Sequence, residues 1–244
     1  MSGADWLSYS LQDFIMFGPD VFLRLYVRIN QALWPWQLLL LVLTLAVPWL
    51  LCHPRLGCRR LALWLVAAAW VGSGYGFLVQ YFGPINWPAE LLGWAFVAQG
   101  VGLALLAGGG DNDPLDRRSV IRLGLPWLAA VVLLPWVAVL QSGQGMALAL
   151  FGLVPDTTVA ASALLLGVFS GPARWLLMPV PAIWLVFSAA TYGTLHTYWL
   201  LLFPVAALVL AVLGLWISPR RARNPGRQSV RPDPTDRSRE FPHH

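Results

Sequence analysis

The side chains of this sequence that could carry chemistry are few, and most lie at the ends of long apolar runs. Glu90 follows Asn86-Trp87-Pro88 at the start of one run, and Asp156 follows Pro155 at the start of another. An acid, a cation, an amide and an imidazole brought together would bind a polar solute or exchange a proton with it. The candidate substrate-binding residues are Arg28, Asn86, Glu90, Asp156, Thr158 and His196.

Four of these residues also have a structural interpretation that the sequence leaves open. Glu90 and Asp156 fall in the first turn of predicted helices, where a carboxylate stabilises the helix dipole or caps the helix. Arg28 could reach lipid headgroups or pair with either carboxylate. His196 could be an interfacial histidine that is simply hydrogen-bonded. The binding hypothesis therefore depends on whether these residues converge.

Other kinds of site have little support. All 16 basic residues are arginine, so a lysine Schiff base and a phosphate-loop lysine are impossible. His53 and His196 are predicted at opposite membrane faces, which argues against a haem held between two histidines. Cys52 and Cys58 lack metal-type spacing and are expected to be free thiols. We find no catalytic constellation, expect no metal and no cofactor, and regard an enzyme as the less favoured class.

The composition of the chain is that of a membrane protein. Of 244 residues, 58% are apolar and 11% are charged, whereas soluble domains carry about 25% charged residues. Apolar runs of about 18 or more residues recur, each long enough to cross a hydrocarbon core of about 30 Å as a helix. Lipid offers no partner to backbone amides, so helices are the default. The predicted fold is an all-α polytopic membrane helix bundle with about seven transmembrane helices.

The chain divides into three predicted segments. Residues 1–31 alternate apolar and charged side chains around Gly18-Pro19, which predicts an interfacial amphipathic segment on the membrane surface. Residues 32–217 form the transmembrane helix bundle, and residues 218–244 form an arginine-rich tail that we expect to be disordered. The predicted helices of the bundle cover approximately 32–51, 61–80, 88–107, 123–140, 156–170, 174–190 and 197–217.

Two stretches of the predicted bundle are irregular. Residues 72–76 read GSGYG, small side chains that allow close helix packing or local distortion. Residues 141–154 contain GQG and lead to a helix that has room only for residues 156–170. Such a helix is roughly 22 Å long, which is short for a membrane span. We interpret this region as a partly submerged loop that leads into a short fifth helix.

The placement of arginine predicts which way the bundle faces. All of the 16 arginines except Arg24 and Arg28 fall in the tail or on loops of one side. Cytoplasmic loops are enriched in arginine, so this side is the inner one. The N-terminus is then outside and the C-terminus cytoplasmic, and the six candidate binding residues lie toward the outer face.

Three stretches carry a resemblance to a known group of proteins: RLYVRINQALWPWQLLL, YFGPINWPAELLG and FGLVPDTTVAASALLLG. They resemble a family of small, uncharacterised bacterial multipass inner-membrane proteins, some of which are labelled permeases. The resemblance covers roughly residues 10–217 and implies a multipass protein of the bacterial inner (cytoplasmic) membrane without assigning a mechanism. Asp156-Thr157-Thr158 departs from the Asp-Pro-Thr of that family's third stretch.

Two functions agree with these features. The favoured one is a small-molecule or ion transporter or permease, with an outward-facing polar pocket formed by the candidate residues. The alternative is an accessory or scaffold subunit that binds another membrane protein, or a second copy of itself, through tryptophan-rich and small-residue faces. A receptor that signals through the tail is a third, weaker alternative. The expected partners are the lipid bilayer and either a substrate or a membrane protein, and no nucleic acid.

The predicted orientation can be tested with a fused reporter. Alkaline phosphatase fused after residue 85 is expected to be active, because that turn faces the outside. The same enzyme fused after residue 112 is expected to be inactive, because that loop is cytoplasmic. The reverse pattern of activity would contradict the whole predicted topology.

Overall fold

The computed structural model of the chain describes residues 17–109, 117–167, 169, 174–175 and 177–216. Within these ranges the regular structure is entirely helical. The predicted features outside them are residues 1–16 of the amphipathic segment, the loop at residues 110–116 that holds the second reporter position, and the tail over residues 218–244. The predicted all-α class is confirmed for the described part of the chain.

The helices have the following bounds in chain order: α1 Pro19–Ala32, α2 Trp36–Cys52, α3 Leu56–Val71, α4 Trp87–Gly109, α5 Arg117–Leu133, α6 Pro135–Ser142, α7 Pro155–Ala163, α8 Pro179–Thr194 and α9 Leu202–Trp216. A π-helical segment, Gly72–Phe82, continues α3 and is followed by a 3-10 turn at Gly83–Ile85. Two further 3-10 turns lie after α7, at Leu164–Gly167, and before α9, at Tyr198–Leu201.

Four helical stretches of the described chain are long and apolar enough to cross a membrane: Leu56–Ile85, Trp87–Gly108, Ile121–Ser142 and Tyr198–Trp216. A fifth candidate is the pair of α1 and α2, which meet at an angle of 95°. The described chain thus has four to five candidate membrane spans, judged by their length and composition. The larger number predicted from sequence includes α7 and α8, which have only 9 and 16 residues, whereas a full crossing takes about 20.

The amphipathic pattern of α1 has its explanation in packing against the rest of the protein. Phe22, Tyr26 and Ile29 are buried, while Arg24 and Arg28 on the opposite side are exposed. The ring of Phe22 lies 5.3 Å from that of Phe82 at the end of the π-helical segment. The apolar face of α1 therefore contacts protein, although α1 turns sharply away from the direction of α2.

The predicted irregular loop and short fifth helix are both present. Residues 143–154 contain no helix, and every residue from 151 to 161 is buried. Gly152 adopts φ +81°, a conformation that favours glycine. Its N–H donates to Oγ1 of Thr158 over 2.9 Å, and that hydroxyl donates to the carbonyl of Val154 over 2.7 Å. A buried loop needs such internal partners, because neither lipid nor water is available to its backbone.

The small residues of 72–76 produce both of the effects expected of them. The helix changes from α to π winding at Gly72, and Gly74 lies against α4. A Cβ atom on Gly93 of α4 would come within 2.6 Å of Cγ2 of Val79 and 2.9 Å of the carbonyl oxygen of Gly74. The two backbones therefore approach each other as closely as glycine permits, which is a common way of packing helices in lipid.

Replacing Gly93 by alanine is expected to lower the melting temperature of the detergent-solubilised protein. The new methyl group would collide with backbone at Gly74, and overpacking of this kind costs about 1–3 kcal/mol. Gly102→Ala is the matched control on the same helix, because nothing lies within 4 Å of its added Cβ. Equal melting temperatures for the two variants would contradict the close contact between the π-helical segment and α4.

Candidate functional site

Asp156, in the first turn of α7, is a buried carboxyl group with three hydrogen-bond donors around it. Its side chain is 3% exposed. The hydroxyl of Tyr192 donates to Oδ2 over 2.6 Å, and the hydroxyl of Tyr26 donates to the same atom over 3.1 Å. The indole Nε1 of Trp184 donates to Oδ1 over 3.2 Å. We call Asp156, Tyr26, Trp184 and Tyr192 the carboxylate cluster.

Three helices that are distant in the sequence assemble the carboxylate cluster. Tyr26 comes from α1 and Asp156 from α7, while α8 supplies both Trp184 and Tyr192 from positions roughly two turns apart. Pro155 occupies the beginning of α7, where proline is readily accommodated. Asp156 is thereby placed in the first turn, where the helix dipole favours a carboxylate. The same residue that suits the helix end also ties α1 and α8 to α7.

Aromatic rings surround the carboxylate cluster. The ring of Phe22 lies 5.3 Å from that of Tyr26 and 5.8 Å from that of Tyr192. On the far side, the ring of Phe96 meets that of Trp184 edge to face at 5.5 Å. These contacts hold the phenol and indole donors in one orientation and exclude solvent from the carboxyl group. The site is therefore preorganised in an apolar enclosure.

The carboxylate cluster can hold Asp156 with or without a proton. The hydroxyls of Tyr26 and Tyr192 are 3.3 Å apart, and either can donate to the other. An ionised carboxylate accepts from both phenols, whereas a neutral acid donates to one phenol, which then donates onward. In the part of the chain that the structure describes, no arginine or histidine contacts these oxygens. A buried acid without a cation beside it is the kind of group that marks proton or ion pathways in membrane proteins.

A polar cavity of about 580 Å³ lies where the start of α1 meets the ends of α6 and α8. Its polar lining includes Asp20, Gln141, Ser142, Gln144, Thr194 and His196. The carboxyl ends of two helices carry partial negative charge, and Asp20 offsets the positive end of α1. This lining suits a neutral polar or cationic solute.

The polar cavity and the carboxylate cluster share α1 and α8. Leu23 and Leu195 line the cavity and are almost fully buried. Tyr26 lies about one turn after Leu23 on α1, and Tyr192 lies about one turn before Leu195, which directly follows the end of α8. Asp156 itself does not line the cavity. The ends of α1 and α8 that line the cavity therefore continue into the parts that hold the two phenols.

Five of the six predicted binding residues do not line this cavity. Arg28 is exposed, and its guanidinium carbon is 5.7 Å from the ring centroid of Tyr81, within the range of a cation–π contact. Asn86 is buried just before α4, and its carbonyl accepts from the N–H of Ala89 over 2.9 Å. Glu90 is exposed in the first turn of α4, where it suits the helix dipole.

The remaining predicted residues have different surroundings. Thr158 is buried and holds the loop around Gly152, as described above. His196 is exposed at φ +56°, lines the polar cavity, and has Nδ1 3.0 Å from the hydroxyl of Tyr198. Of the six candidates, only His196 lines the cavity and only Asp156 belongs to the carboxylate cluster. Their role in substrate binding stays a prediction.

The sequence interpretation missed the partners of Asp156, although each carried a signal. Tyr26 lies on the apolar face of an amphipathic helix, where a phenol needs a hydrogen-bond partner. Trp184 lies well inside an apolar run instead of at its end, so its indole N–H must also find an acceptor. Both signals point to a buried acceptor, but neither identifies Asp156, which is distant in the sequence.

Comparison with known proteins assigns the chain to a family without assigning an activity. Residues 19–221 match a family whose description is "Family of unknown function (DUF6064)". No curated protein and no solved structure matches the chain. The matched region includes every described helix and all four residues of the carboxylate cluster. The chain therefore belongs to the DUF6064 family of unknown function.

Proposed function

We propose that the protein is a proton-coupled transporter of a small molecule or ion in the bacterial inner membrane. The observation that carries this proposal is the buried Asp156, which is held by neutral donors and by no described cation, and whose two phenol partners lie on helices that line a polar cavity. Intramembrane acids of this kind commonly serve ion or proton translocation. The solute enters the polar cavity, and Asp156 takes up the proton that accompanies it.

The proposed topology has about seven spans, with the N-terminus outside and the C-terminus cytoplasmic. In this topology α2, α7 and α8 each cross the membrane. Because α7 is short, the buried loop of residues 143–154 spans the rest of the membrane thickness at that crossing. In this orientation the polar cavity opens outward, because residues 141–144 and 194–197 lie on the side opposite the arginine-rich loops. The tail over residues 218–244 is then cytoplasmic.

Protonation of Asp156 would change how α1 and α8 are tied to α7. An ionised carboxylate accepts from Tyr26 and Tyr192 at one oxygen, whereas the neutral acid must use its proton as a donor to one of them. Hydrogen bonds to a charged group are worth more than those to a neutral one. Protonation therefore weakens the link between α1 and α8, whose ends line the polar cavity. Their separation would open the floor of the cavity.

The second candidate is an accessory or scaffold subunit, which binds another membrane protein or a second copy of the chain. It is favoured by the complete hydrogen bonding of Asp156, because a structural tie requires a carboxyl group whose oxygens are both satisfied. In that case the carboxylate cluster holds α1, α7 and α8 together permanently. A proton would not need to reach it.

Charge movement after a rapid pH step distinguishes the two functions without knowledge of the substrate. Reconstituted protein on a solid-supported membrane is expected to give a transient current as Asp156 binds a proton. Asp156→Asn should abolish that current, because an amide does not bind a proton over the pH values of such a step. Its oxygen still accepts hydrogen bonds from the phenols. Glu90→Gln, at an exposed position outside the polar cavity and the carboxylate cluster, is the matched control and should retain the current. A current that persists in folded Asp156→Asn protein would refute proton binding at this residue.

Removing one hydroxyl from the carboxylate cluster tests its contribution to stability. Tyr192→Phe deletes the 2.6 Å hydrogen bond to Oδ2 and is expected to destabilise the protein by about 1.5–3 kcal/mol. Tyr198→Phe is the control, because that hydroxyl is exposed and bonds only the exposed His196 among the described groups. Thermal unfolding in detergent measures both. A Tyr192→Phe protein as stable as the control would show that the cluster does not tie the helices together.

A further inference from the structure

An apolar crevice of about 230 Å³ lies between α7, α8 and α9, with walls from α3 and α4. Its lining is almost entirely carbon, including Leu103, Val159, Leu185 and Ala207. The few polar groups at its wall already have partners. Nε2 of Gln99 donates to the carbonyl of Leu177 over 2.8 Å, and Nε1 of Trp70 donates to Oγ of Ser162 over 3.0 Å. The part of any ligand inside this crevice is therefore hydrocarbon.

The size of the apolar crevice suits a length of alkyl chain. A water-sized group, which is close to a methylene in volume, occupies about 30 Å³ in a liquid, so the space holds roughly eight such groups. Ala163, Ala182, Ala207 and Ala211 line the crevice, and their short side chains leave the space open.

A cation is fixed at the wall of the same crevice. Arg174 donates from Nε and Nη2 to the carbonyl of Phe169, over 3.0 and 2.7 Å, and Phe169 lines the crevice. Leu177, another lining residue, donates its N–H to the carbonyl of Arg174 over 3.3 Å. Arg174 is half-buried, and no carboxylate within the described ranges pairs with it. No hydrogen bond joins its Nη1 to another described residue, so Nη1 can bind an anion beside the crevice.

We propose that these two features form a binding site for an anionic phospholipid. One acyl chain occupies the apolar crevice, and the phosphate of the headgroup binds the guanidinium of Arg174. Arginine suits this role because its planar fork of donors matches phosphate oxygens. A small polar solute would find no partner inside the crevice, and a free phosphate would leave it empty. The site is independent of the proposed transport function, because it shares no residue with the carboxylate cluster or the polar cavity.

Native mass spectrometry of the full-length protein in detergent tests this site. The probes are phosphatidylglycerol and phosphatidylcholine with identical acyl chains. We expect one phosphatidylglycerol to remain bound at collision energies that remove phosphatidylcholine. Arg174→Gln should reduce the retained phosphatidylglycerol by about fivefold, since a basic residue near a lipid surface contributes about 1 kcal/mol. Ala182→Phe should reduce it as well, because the ring fills the crevice beside its exposed rim.

Two control variants separate this site from general lipid adhesion. Arg122→Gln removes an exposed arginine on α5, and Ile183→Phe enlarges the exposed neighbour of Ala182 that does not line the crevice. Both should retain phosphatidylglycerol as the unmodified protein does. Equal retention of phosphatidylcholine, or undiminished retention by either folded test variant, would overturn the proposal. If Arg174→Gln does not fold, two other comparisons test the proposal. One compares phosphatidylglycerol retention by Ala182→Phe with that by Ile183→Phe, and the other compares the retention of the two lipids by the unmodified protein.

Discussion

The hydrogen bonds that converge on Asp156 are the constraint on which the arrangement of the described helices depends. A carboxyl group taken out of water is tolerated only when donors replace its hydration. Here the donors come from α1 and α8, which are distant from α7 in the sequence. Satisfying one acid therefore positions three helices, and it accounts for the sharp turn between α1 and α2 that directs Tyr26 into the protein.

Packing in the rest of the bundle relies on shape and on internal polar partners, because lipid provides little hydrophobic drive for helices to associate. Gly74 and Gly93 let the π-helical segment and α4 meet at backbone distance. The loop before α7 can be buried because other residues satisfy its backbone groups. Asn30 donates from Nδ2 to the carbonyl of Leu148 over 2.7 Å, and Oγ1 of Thr158 accepts from the N–H of Gly152. Regular helices and a non-helical loop can thus share one apolar interior.

The membrane character, the helical class and the short fifth helix could all be predicted, because each depends on local composition and length. Pro155 and Pro88 also mark helix beginnings where the structure has them. The carboxylate cluster could not be predicted, because Tyr26, Asp156 and Tyr192 are joined by tertiary contacts that no spacing rule encodes. The candidate binding set shows the same limit. Proximity to helix ends selected Arg28 and Glu90 together with Asp156, although only packing decides which end residues turn inward.

The π winding of Gly72–Phe82 decides which aromatic rings surround α1. In an α-helix, residues five apart point about 140° away from each other. Phe77 and Phe82 are five apart, yet their ring centroids are 6.3 Å from each other, and they reach Tyr26 and Phe22 respectively. The wider i→i+5 turn brings both rings to one side. Rewinding this segment as an α-helix would rotate one ring toward lipid. The winding of the helix, as well as the type of residue at each position, therefore determines which rings pack against α1.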